Sequence, residues 1–144
     1  MPASIGTLLD AVVSALRASG SFAHVSLGTA PAVATIPRAA VAVESLETFP
    51  ADDVAGQRWQ RARLTVDIHT RDTDADDVTR RLHTLLDSAE AALLSDPSQS
   101  GICQSLPIGG ATEVVSRNVT PGVRRPEAAA TLTVRCHLVA QEGA

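Results

Sequence analysis

The sequence predicts an α+β fold: two layers, a mostly antiparallel sheet with two helices packed on one face. Three observations predict it. From Arg61 to His69 the apolar residues Ala62, Leu64, Val66 and Ile68 alternate with Arg61, Arg63, Thr65, Asp67 and His69, the pattern of a half-buried strand. From Val78 to Leu93 the apolar residues Val78, Leu82, Leu85, Leu86, Ala89 and Leu93 fall on a single helical stripe. The order along the chain is helix, strands, helix, strands. Strands that follow one another without a helix between them pair antiparallel, which excludes a doubly wound sheet. At 144 residues the chain reads as one domain, 1–144, long enough to bury its own core.

Taken in order, Ala3 to Ala18 form the first helix, with Ile5, Leu8, Leu9, Val12 and Leu16 on one stripe and Val13 widening it. Ser4 or Thr7 caps its start, and Ser19-Gly20-Ser21 ends it, glycine being favoured just past a helix. A short strand follows from Ala23 to Leu27. Gly28 to Pro31 is a turn, and Pro31 and Pro37 keep the segment between them from being helical. Arg38 to Leu46 is the second strand, with Ala39, Val41, Val43 and Ser45 on one face and Ala40, Ala42, Glu44 and Leu46 on the other. Neither face is cleanly polar, as in a strand covered on both sides or against another subunit. Glu47 to Gln57 is a connecting loop with Pro50, Asp52, Asp53 and Gly56, longer than the usual ~4–6 residues. The central strand and second helix come next. Thr73 or Asp74 caps that helix, and Asp96-Pro97 to Gly101 ends it. Ile102 to Ile108 and Thr112 to Val119 read as strands separated by Gly109-Gly110, and Thr120 to Pro126 as an exposed loop. The last strand points Ala130, Leu132, Val134, Cys136 and Leu138 inward and Thr131, Thr133, Arg135 and His137 outward. Gln141 to Ala144 form a frayed end.

Composition narrows the function classes. Hydrophobic residues make up 44% of the chain, which fits a globular core, while Phe22, Phe49 and Trp59 are its only aromatics. The core is therefore aliphatic, and there is no stacking platform for single-stranded nucleic acid. A net charge of −4 gives no general attraction to DNA. All 12 basic residues are Arg. Cys136 reads as a buried thiol, and Cys103 and Cys136 together allow one disulfide at most. The first residues lack the basic region of a secretory leader, and no apolar run approaches the roughly 20 residues of a membrane span.

Catalytic and metal constellations are absent from the pattern. Asp72-Thr73-Asp74-Ala75-Asp76-Asp77 opens like a calcium loop, but Asp77 stands where glycine is needed and His83 where a bidentate Glu is needed. Negative charge in the first turn of a helix explains those aspartates better. His69 and His137 lie on wet strand faces and would be close if their strands are neighbours. Without a third ligand they read as a surface pair, not a metal site. No G-x-S-x-G elbow, phosphate loop or dinucleotide fingerprint occurs. No cofactor, metal or enzymatic activity is expected. What remains is a polar sheet face carrying Arg61, Arg63, Thr65, Asp67, His69, Arg71, Arg135 and His137. It has two readings: a solvated face, common in antiparallel sheets, or a face that meets another subunit through fork-like Arg–carboxylate pairs.

The N-terminal helix ends near Gly20, and a strand and then Ile36-Pro37-Arg38-Ala39-Ala40-Val41 follow. After a long loop come the Arg63-to-Ile68 strand, a helix of about twenty residues and the Asp96-Pro97 stop. A long hairpin and a Thr131-to-Leu138 strand close the chain. This layout resembles the tail-terminator (tail-completion) proteins of long-tailed bacteriophages and related tail-like particles. Neck proteins of the same particles share much of it. The resemblance implies a structural virion protein, assembled in the host cytoplasm and placed at the tail–neck junction. It implies a hexameric ring on the head-proximal end of the tail tube that stops tube polymerisation and joins the tail to the neck. The implied partners are further copies of the chain, the tail tube protein and a neck or head–tail connector protein, with DNA passing through the ring unread. The resemblance carries over no catalytic residue. The candidate protein–protein contacts are Arg61, Arg63, Arg71 and Arg135 on the sheet face and Asp52, Asp53, Arg124 and Arg125 in the loops. The alternatives are a head–tail adaptor of the same particle, or a small ligand-binding α+β domain that dimerises through its open sheet face.

Overall fold

The computed structural model describes residues 5–28, 36–50, 57–72, 74–96, 99, 102, 112–120 and 127–141, and only the backbone at 49–50, 57–59, 75, 112–120, 127 and 139–141. Its elements are α1 (Ile5–Ala18), β1 (His24–Leu27), β2 (Arg38–Pro50), β3 (Gln57–Arg71), α2 (Ala75–Leu94), β4 (Thr112–Thr120) and β5 (Glu127–Gln141). The five strands form one sheet in the order β1-β2-β3-β5-β4. Every neighbouring pair is antiparallel except β1 with β2, which run parallel. This is the α+β arrangement expected from the sequence.

Both helices lie on the same face. α1 packs on β1 and β2, α2 packs on β3, β5 and β4, and the helices touch each other. The alternation in β3 and β5 makes this possible. Ala62, Leu64, Val66 and Ile68 from β3 and Ala130, Leu132, Val134, Cys136 and Leu138 from β5 all point into the helix layer and are buried. They meet Leu8, Val12 and Leu16 of α1 and Val78, Leu82, Leu86, Ala89 and Leu93 of α2 in one cluster. At about 1.5–3 kcal/mol for each large aliphatic side chain removed from water, this cluster is the main favourable term in the fold. Among the described residues it contains no aromatic side chain, and Phe22 packs against its edge.

The helix ends are satisfied locally. At the end of α1, Ser19 donates its hydroxyl to the Leu16 carbonyl, and Gly20, at φ 72°, takes the left-handed conformation that closes the helix. Arg17 reaches from the last turn of α1 to the Val25 carbonyl at 3.1 Å and ties the helix to β1. Asp74 is the N-cap of α2, its carboxylate accepting the Asp77 N–H at 2.8 Å. That hydrogen bond holds the Asp74 carboxyl below its ordinary value. Asp77 is pushed up by its own hydrogen bond to Asp74 and by the charges of Asp74, Asp72 and Asp76. At the other end, Gln99 folds back under α2. It is 2% exposed and donates its side-chain amide to the Leu93 and Asp96 carbonyls, each at 2.9 Å. Its backbone is left-handed, at φ 49°.

The structure corrects the sequence reading at several places. β2 does not stop at Leu46, and Glu47 to Pro50 are not loop. They pair with Arg61 to Arg58 of β3. A polar stretch far from the core looks like a loop in sequence, but a partner strand satisfies its backbone groups without any burial. A bulge between Val43 and Ser45 also shifts the strand, so simple alternation assigns its far half to the wrong faces. Ser45 pairs with Arg63 on the helix-free face and Leu46 pairs with Ala62 on the helix side. The parallel β1–β2 pair departs from the all-antiparallel tendency of sequential strands. It is anchored where the Gly28 N–H meets the Val41 carbonyl at 2.7 Å and the Ala23 N–H meets the Pro37 carbonyl at 2.8 Å. Ile102 is a half-buried turn residue against the core, and the rest of the expected 102–108 strand lies outside the described residues.

Replacing Gln99 by Ala leaves the Leu93 carbonyl without its partner in a site closed to water. It is expected to destabilise the protein by about 1–3 kcal/mol in urea unfolding. Asp74 gives a pH signature. Its folded value lies below the ordinary 3.8, so the unfolded chain binds its proton first. The Asp74 contribution is complete above that ordinary value and is lost as pH falls through the folded value. Measured downward from about pH 5 in an Asp77→Asn background, which removes the opposing upward shift of Asp77, urea midpoints should therefore decline more with Asp74 than with Asp74→Ala.

Candidate interaction surface

The period of 2 that sends Leu64 and Val66 into the core sends their neighbours to the helix-free face. There the strands align side chains in rows. Arg61 of β3 lies between Glu47 and His137, Arg63 between Ser45 and Arg135, and Thr65 between Ala42 and Thr133. Asp67 lies between Ala40 and Thr131, and His69 between Arg38 and Ala129. Arg71 ends β3 opposite Glu127.

One half of this face is basic. Arg61, Arg63 and Arg135, with Ser45 and Glu47, line a recess of about 230 Å³. Arg63 and Arg135 are directly opposed, an arrangement that like charges disfavour by a few tenths of a kcal/mol or more. Among the described residues three arginines and one glutamate, Glu47, line it, and Glu113 of β4 pairs in register with Arg135 on the side away from Arg63. Such a recess suits a carboxylate brought by another chain. At the middle of the face the Thr131 hydroxyl donates to Asp67 at 2.8 Å. At its other half a second recess, of about 430 Å³, has Ala40, Ala42 and Ala129 among its lining, with Arg38, His69 and Asp67 around it.

Four of the eight residues singled out from sequence, Arg61, Arg63, Arg71 and Arg135, are placed by β3 and β5, and three of these meet in the basic recess. Asp52, Asp53, Arg124 and Arg125 lie outside the described residues. His69 and His137 sit on neighbouring strands but are not brought together. His137 faces Arg61, eight residues from His69, or about 26 Å along β3. Among the described residues no group of three or more His, Cys, Asp and Glu is placed to hold a metal ion. Among them, too, no helix is long and apolar enough to cross a membrane.

Two surfaces escaped sequence reasoning. On the helix side of the sheet, beyond the reach of α1, Leu27, Val43 and Leu46 are 49%, 39% and 41% exposed. Strict alternation put Leu46 on the opposite face from Val43, and only the bulge brings the two to the same side. The row His24–Arg38–His69 was also hidden, because nothing in the sequence signals that β1 lies parallel to β2.

No protein-family model matches the chain, and no curated protein matches it in sequence. Among solved structures, it is similar over 94% of its length to 96% of a chain from the virion of a native gene transfer agent particle, at 15% identity and a TM-score of 0.49. It is also similar over 92% of its length to 67% of the type 4 fimbrial biogenesis protein PilO from Pseudomonas aeruginosa, at 9% identity and a TM-score of 0.35. At these scores neither likeness carries an argument about function.

Proposed function

We propose that this chain is a structural virion protein that assembles head to tail into a hexameric ring at the head-proximal end of a phage-type tail tube. There it ends tube polymerisation and joins the tail to the neck. The observation that carries the reading is that the two layers are unequal. The helices cover one sheet face and stop short of the far half of β2. Each copy is left with two unlike surfaces: the basic recess of Arg61, Arg63 and Arg135 and the apolar strip of Leu27, Val43 and Leu46. A ring built head to tail needs two unlike surfaces on every subunit. The order of elements, which resembles that of tail terminators, supports the same reading. The whole chain, 1–144, acts as one unit in it, and Asp52, Asp53, Arg124 and Arg125 join the contacts between subunits or between rings. The tube protein and the neck connector are the partners, at the tail–neck junction. The function asks for no cofactor and no catalytic group.

Light scattering over a concentration series tests the ring. Six chain masses, reached directly or on raising concentration, are expected, whereas a tight dimer at every concentration contradicts the proposal. The double variant Arg63→Glu, Arg135→Glu reverses the recess, and Leu46→Asp charges the strip. All three positions lie at the protein surface or its margin. Each variant should keep the wild-type circular dichroism and need at least about tenfold more protein to assemble. Assembly of both at wild-type concentration would remove these surfaces from the contact.

A further inference from the structure

The helix-free face holds a second polar recess that the proposed ring does not use, at the end where β1, β2, β3 and β5 meet. Ala40, Ala42 and Ala129 keep its floor low, because the side chains on that floor stop at Cβ. Its volume of about 430 Å³ falls within the range of small-molecule sites. Arg38 and His69 stand side by side at one end, on adjacent strands about 4.8 Å apart. Asp67 and Thr131 stand one row further on.

At this end His69 already has a partner, and the charge left to account for is that of Arg38. Arg38 is half-buried, and among the described residues it makes no ion pair. A partly desolvated guanidinium without an anion is costly, and an oxyanion that meets its fork relieves that cost. His24, on the far side of Arg38 in the same row, has its Nε2 shielded from solvent and without a hydrogen-bond partner. The hydroxyl of Ser26, one row along, is shielded and unpartnered as well. The basic end is thus backed by unspent polar capacity. Asp67 sets the opposite requirement. Thr131 donates to one of its carboxylate oxygens, and an ionised carboxylate has a second oxygen able to accept.

We propose that this recess binds a small carboxylic acid carrying a hydrogen-bond donor near its carboxylate, an amino acid or hydroxy acid. Arg38 holds the carboxylate beside His69, Asp67 accepts from the donor, and a short apolar side chain rests on the alanine floor. An anion at both ends would be repelled by Asp67.

The test is titration of the full chain with L-alanine and with acetate, followed by the imidazole resonances of His24 and His69 and by calorimetry. L-Alanine is expected to shift both imidazoles saturably, and acetate to bind at least about tenfold more weakly for want of a donor. Arg38→Gln removes the fork, and Ala129→Leu, at an exposed position, fills the floor without touching a charge. Each should weaken L-alanine at least tenfold, while Arg80→Gln on α2 leaves it unchanged. A linear, unsaturable response to L-alanine overturns the site, as does a response that survives both Arg38→Gln and Ala129→Leu. Equal affinity for acetate and L-alanine overturns the role given to Asp67.

Discussion

The register of β3 on β5 is the constraint on which the rest of the structure depends. Each strand is 15 residues long, and they pair along their whole length from Gln57↔Gln141 to Arg71↔Glu127. Because side chains alternate at every step, burying Leu64 against Val134 and Val66 against Leu132 fixes every other position on both strands. Arg63 must then face Arg135 on the open side, and Asp67 must face Thr131. A slip of one residue would move the aliphatic set into water and the arginines into the helix layer, so the core enforces the surface. The close opposition of Arg63 and Arg135 is tolerated because register is set by several buried aliphatic pairs and resisted by one exposed pair of charges.

The bulge at Glu44 has a different effect. It breaks the alternation of β2 after Val43, turning Ser45 toward the arginines and Leu46 toward the helix side. Around that point the aliphatic side chains of β2, Val43 and Leu46, are exposed on the helix side. One extra residue in an outer strand thereby produces both a polar wall for the basic recess and an apolar strip on the reverse of the same sheet. Arg17 holds the last turn of α1 to β1 at Val25, which lies in register with Ala39 in the near half of β2.

Much of the architecture was legible in the sequence because β3, β5 and α2 are each periodic over many residues. Ala62 to Ile68, Ala130 to Leu138 and Val78 to Leu93 were assigned to the core from spacing alone, and Asp74 was one of two residues named as the cap of α2. The outer half of β2 was not legible. Glu47 and Thr48 are polar and Pro50 is turn-prone, and what makes Glu47 to Pro50 a strand is their partner Arg58 to Arg61, a non-local fact. Gln99 was missed for a similar reason: a polar residue after a helix reads as solvent-facing, and its role comes from folding back on Leu93. Of the candidate surface, the arginine row on β3 was visible as the wet half of an alternating strand. Its meeting with Arg135 required the strand order, and the site around Arg38 required the parallel pairing of β1.

The proposed ring and the layered fold make one joint claim: the helix-free basic recess is covered only when copies of the chain assemble. Modification with an arginine-specific dicarbonyl, read residue by residue in dilute and in concentrated protein, measures that cover most directly. The account predicts that Arg63 reacts in the dilute chain and becomes protected on assembly, while Arg80, exposed on α2, reacts equally in both. Equal reactivity of Arg63 in the assembled and dilute protein would contradict it.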